Sequence, residues 1–110
     1  MNLVEREKRL TLHLPVEVRG EDRAGRRFVE RTRTLNVSGG GICLESRRTL
    51  EIGARLSLAI ELPPKLRRHF GNRELYRARA VVCRVERLAA ADPARIGARF
   101  LREVEPGTVV

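Results

Sequence analysis

The sequence predicts an all-β fold, a small antiparallel barrel of six to seven strands, and two observations carry that expectation. Apolar and polar residues alternate with a period of two over several short runs, as they do in strands with one buried face. Glycines and prolines punctuate those runs at short, fairly even intervals, which is the spacing of an all-β sandwich or barrel. Closing the sheet removes the exposed edges that so many half-buried strands otherwise present.

Residues 1–9 are polar and charged, with Glu5, Arg6, Glu7, Lys8 and Arg9 in succession, and read as a flexible basic arm. Alternation then begins abruptly. Leu10, Leu12, Leu14, Val16 and Val18 interleave with Thr11, His13, Pro15, Glu17 and Arg19. That is a half-buried strand in which Pro15 favours an edge or a bulge. His13 falls on the polar side, as a solvated strand residue rather than a catalyst. Residues 20–25 read as a turn, and strand signals resume at Arg27 and run to Val37.

After three glycines, Ile42 and Leu44 alternate with Cys43 and Glu45. Arg47-Arg48-Thr49 is a polar connection, and Ile52-Gly53-Ala54 marks another turn. Leu56, Leu58, Ile60 and Leu62 form a second clean alternation, which Pro63-Pro64 stops because proline has no N–H to give a ladder. Residues 65–73 are basic and read as a loop with room for one helical turn. Residues 76–85 are β-prone with broken alternation, the sign of a bulge or of burial on both faces. After a loop at 89–93, Ile96, Ala98 and Phe100 form the last strand. The expected division is an arm over 1–9, a barrel over 10–102 and a short tail over 103–110. The expected core draws on Leu12, Leu14, Val16, Leu56, Leu58, Ile60, Ala98 and Phe100.

Chain length fits one domain with one core. Lys plus Arg total 23 against 14 acids, a formal net charge of +9, and Lys8 and Lys65 are the only lysines. Arginine offers a planar fork for phosphate, carboxylate or guanine edges, so the balance predicts an anionic partner. Only 4% of residues are aromatic and there is no Trp, which weighs against a nucleic-acid polymer held by base stacking. Cys43 and Cys83 sit in apolar runs without C-x-x-C spacing, and His13 and His69 complete no metal set. Both cysteines are expected to be buried, reduced and unreactive, as in a cytoplasmic protein. No run of about 18 apolar residues and no signal-peptide pattern is present.

The most informative stretch is Asn36-Val37-Ser38-Gly39-Gly40-Gly41. Glycines admit positive φ and let backbone N–H groups face outward as a small anion-binding nest. Asn36 and Ser38 add an amide and a hydroxyl. The alternative is a tight turn whose Asn and Ser bond only their own backbone.

These residues resemble the PilZ domain, the bacterial barrel family that binds cyclic di-GMP. The segment fits the family's [D/N]-x-S-x-x-G motif. A strand over 10–18, a Leu-rich strand ending at Pro63, Ala80-Val81-Val82-Cys83-Arg84-Val85 and Ile96-Gly97-Ala98-Arg99-Phe100 follow the family order. The family's second motif, R-x-x-x-R before the first strand, is altered. Arg9 stands where the second arginine belongs, Glu5 occupies the place of the first, and Arg6 gives R-x-x-R instead.

The resemblance implies a non-enzymatic bacterial signalling receptor for cyclic di-GMP, with Arg6, Arg9, Asn36, Ser38 and Gly41 at the ligand and no cofactor or metal. Ligand binding would order the arm and so signal to a downstream protein partner. The alternative is a degenerate barrel that acts as a protein-interaction module. No Ser–His–Asp or Cys–His arrangement points to an enzyme.

Overall fold

The period-two runs pair into one closed antiparallel sheet. The computed structural model describes residues 11–103, which form β1 (Pro15–Glu21), β2 (Arg27–Val37), β3 (Gly41–Ser46), β4 (Arg55–Glu61), β5 (Leu75–Glu86) and β6 (Ala94–Glu103). Around the barrel the order is β1-β2-β3-β6-β5-β4, and β4 pairs back onto β1. The strand count is thus six. The expected arm over 1–9 lies outside the described residues, as does the chain after 103.

Inward positions follow the alternation. Val16 and Val18 of β1, Leu56, Leu58 and Ile60 of β4, and Ile96 and Ala98 of β6 are buried. Leu12, Leu14 and Phe100 are only partly buried and pack against that core. The first strand starts later than the alternation implied, at Pro15. Residues 12–14 instead hang on Thr34. Its backbone N–H donates to the Leu14 carbonyl at 2.9 Å and its hydroxyl accepts from the Leu14 N–H at 2.9 Å, while the same hydroxyl donates to the Leu12 carbonyl. Thr34 is fully buried, so these bonds satisfy a polar group that would otherwise be costly in the core.

Gly20 does not begin the turn as expected; it belongs to β1. A Cβ there would lie 2.9 Å from Leu56 Cδ2 and 3.1 Å from the Arg55 carbonyl, so β1 passes close to β4 at a point where a larger residue would make Leu56 and the Arg55 carbonyl give way. The turn itself is Asp22 to Gly25. The Asp22 carboxylate accepts from the N–H groups of Arg26 at 3.0 Å and Ala24 at 2.9 Å. The Arg26 bond leads in holding its pKa below the ordinary value. A carboxyl lowered in the folded state stabilises fully above its unfolded pKa, and that contribution is lost as pH falls through the native value. Acid titration followed by amide exchange is expected to show the β1–β2 turn opening first on the acid side, and Asp22→Asn to remove that pH dependence.

Pro63 and Pro64 end β4. A single helical turn, α1 (Pro64–Arg67), follows with proline in its first turn and runs into a 3-10 turn at Arg68–Phe70. Phe70 docks this loop edge-on against Tyr76 at 5.0 Å, and Tyr76 in turn meets Phe100 at 6.0 Å, the T-shaped geometry that aromatic pairs prefer. No helix among the described residues is long and apolar enough to cross a membrane.

Candidate functional site

A bulge in β2 decides where Asn36 points. Before it, Phe28 and Thr34 are buried; after it, Val37 is. The ladder with β3 pairs Thr34 with Leu44 and then Asn36 with Cys43, leaving Leu35 extra. One inserted residue switches the inward set from even to odd positions. Asn36, which uninterrupted alternation would send into the core, is turned to the outer face.

There it begins a row across four strands. Asn36 of β2 opposes Cys43 of β3, Cys43 opposes Gly97 of β6, and Gly97 opposes Arg84 of β5. The middle of the row is a small thiol and a glycine, so it forms a floor, with Asn36 and Arg84 as its walls. One step along the sheet, Gly41 opposes Arg99. A second bulge, in β5, leaves Cys83 extra between Val82 and Arg84, which accounts for the broken alternation there. Asn36, Ser38 and Gly41 line a depression of about 420 Å³ together with Cys43, Cys83, Arg84, Gly97 and Arg99. No carboxylate lines it. A larger depression of about 970 Å³, over β1 and β4 on the opposite side of the barrel, mixes its arginines with Glu21, Asp22 and Glu51.

The glycine turn differs from a positive-φ nest. Positive φ falls at Gly25, Gly53 and Gly71, with none at Gly40 or Gly41. The Ser38 N–H donates to the Gly41 carbonyl at 2.9 Å, and the Gly41 N–H donates to the Ser38 hydroxyl at 3.2 Å. The Gly40 carbonyl accepts from Phe100 at 2.9 Å. Two backbone donors are thus used inside the turn, and Gly41 is required for a different reason. A Cβ on it would sit 2.6 Å from the Ala98 carbonyl oxygen, so the glycine lets β3 close onto β6.

Of the residues named from the sequence, Asn36, Ser38 and Gly41 come together; Arg6 and Arg9 lie outside the described residues. Sequence reasoning missed Arg84, Gly97 and Arg99, whose only signal was their family-ordered strands. Both cysteines were expected to be buried, yet Cys43 is buried and Cys83 is exposed, because Cys83 follows Val82 on the outward parity of a strand whose inward set is Ala78, Ala80 and Val82. Two strand spacings separate them, roughly 9–10 Å, beyond the about 7 Å that a disulfide spans. Thiol labelling of the native protein is expected to modify Cys83 quickly and Cys43 slowly. Fast labelling of both, or of neither, would contradict this placement.

The chain belongs to the PilZ domain family, whose match covers residues 4–108. PilZ domains are non-catalytic receptor domains for cyclic di-GMP. No curated protein sequence matches the chain. Among solved structures it is similar to the Bacillus subtilis inhibitor of motility MotI/DgrA, with TM-score 0.65 and 20% identity over 92% of this chain and 44% of that one. It is similar to the PilZ domain with c-di-GMP of YcgR from Escherichia coli, with TM-score 0.59 and 16% identity over 94% of this chain and 81% of that one. It is also similar to the K. pneumonia MrkH–c-di-GMP complex, with TM-score 0.56 and 19% identity over 87% of this chain and 43% of that one. The chain therefore spans less than half the length of two of these proteins.

Proposed function

We propose that this domain is a cyclic di-GMP receptor. It would hold the dinucleotide against the outer face of β2, β3, β6 and β5 and fold residues 1–9 over it, relaying occupancy to a downstream protein partner. The observation that carries the reading is the gathering of Asn36 and Ser38 of the family motif in a cationic depression without a carboxylate. Cyclic di-GMP brings two phosphates and two guanines, whose O6/N7 edges suit a forked guanidinium. A depression of about 420 Å³ is at the lower end of the range for small-molecule pockets, about 300–1,000 Å³. Part of the ligand would stand proud of it, where Arg6 and Arg9 can close from the arm. Ordering the arm costs entropy, and that cost makes occupancy a change of shape.

Calorimetric titration with cyclic di-GMP tests the reading. Arg9→Ala is expected to weaken binding by about 1.5–3 kcal/mol, the range for a charged hydrogen bond. Ser38→Ala should cost about 0.5–1.5 kcal/mol, since its hydroxyl is neutral and already shared with Gly41. Glu5→Arg should tighten binding and steepen its salt dependence. Cyclic di-GMP should also slow the labelling of Cys83. Glu5 in the place of a family arginine favours a second reading, an interaction module without ligand. It takes over if neither wild type nor Glu5→Arg shows saturable heat into the millimolar range.

A further inference from the structure

Among the described residues, three arginines on the strands of the barrel are ion-paired. Arg19 and Arg31 meet Glu17, Arg31 also meets Glu61, and Arg33 meets Glu45. Arg84 and Arg99, like Arg27, Arg55, Arg77, Arg79 and Arg95, have no ion pair or side-chain hydrogen bond among the described residues. What sets Arg84 and Arg99 apart is that both line the depression that holds Asn36 and Ser38. Arg84 is held there by the geometry of the sheet. The bulge at Cys83 sets it opposite Gly97, and its side chain lies along that glycine, with Nε 3.5 Å and Nη2 3.8 Å from where a Cβ would be. Its guanidinium is therefore already placed as a wall, and its charge has no acidic neighbour in the lining to neutralise it.

The arm has the opposite defect, an acid at position 5 beside its arginines. We propose that Arg84, backed by Arg99, takes over from the barrel wall the cationic contact to a phosphate of cyclic di-GMP that Glu5 removes from the arm. This rests on the receptor reading above. It makes the site of this chain depend on a guanidinium held by the barrel wall.

The test is titration of the full chain with cyclic di-GMP at low and high salt. Arg84→Gln should weaken binding at least about tenfold, as loss of a charge-assisted contact does, and flatten the salt dependence. Arg84→Lys should keep most of the affinity, because it keeps the charge. Arg79→Gln, the same charge change on β5 but in the opposite depression, should stay within about twofold, as expected if only general attraction is lost. Glu5→Arg should recover part of the loss in the Arg84→Gln background. The proposal falls if Arg84→Gln binds as well as Arg79→Gln, if Arg84→Lys is as weak as Arg84→Gln, or if Glu5→Arg rescues nothing. Wild type that binds while Arg84→Gln is unchanged overturns this inference alone. Wild type that does not bind overturns the receptor reading and this inference with it.

Discussion

Leu58→Ala is expected to lower the free energy of unfolding by about 2–5 kcal/mol, the range for deleting a buried leucine. Leu58 is 3% exposed at the middle of β4, opposite Val18 on one side and Ala78 on the other, both of them buried. A closed barrel has little freedom to collapse around the loss. Every neighbour of β4 is itself pinned by a ladder on its far side, so a cavity persists, and residual cavity volume is what drives the upper end of that range. Urea denaturation of the two proteins reads the difference as a shift in midpoint at constant slope. A change of a few tenths of a kcal/mol would place Leu58 at the surface and overturn the register of β4.

The register itself was legible wherever alternation was uninterrupted. Leu56, Leu58 and Ile60 face inward as the period of two requires, and Pro63-Pro64 ends that strand. Legibility failed where an inserted residue changed which parity faces the core. Leu35 in β2 and Cys83 in β5 are such insertions; the broken alternation of residues 76–85 signalled the second as a bulge or as burial on both faces, whereas nothing in the β2 pattern signalled the first. The consequence of both is functional. The first bulge turns Asn36 to the outer face, and the second turns Arg84 out to the depression.

The glycine run was legible as a special turn, yet the reason lay in tertiary structure. Close approach to Ala98, far away in the chain, cannot be read from Gly41 and its neighbours. The same holds for Gly20, which serves β1 by clearing Leu56 rather than by turning the chain. Sequence patterns report which face a residue prefers. They do not report which backbone will lie across it.

Gly41→Val gives the sharpest discrimination between these two uses of glycine. In an ordinary strand position valine is favoured over glycine, and Gly41 opens β3 without a positive φ, so local preference predicts a neutral or stabilising change. The packing predicts the reverse. The new Cβ would lie 2.6 Å from the Ala98 carbonyl oxygen, 3.6 Å from its carbonyl carbon and 3.5 Å from Arg99 Cα. These are backbone atoms of β6 that no rotamer change can move. Opening the β3–β6 ladder by that much costs about 1–3 kcal/mol or more, the range for forced overpacking. The damage also reaches the site, because Gly41 holds the Ser38 hydroxyl and lies opposite Arg99. Gly41→Val is therefore expected to lose both thermal stability and cyclic di-GMP binding, whereas Ser38→Ala loses mainly the second. A Gly41→Val protein with unchanged melting temperature would mean that β3 and β6 do not approach as closely as this register requires.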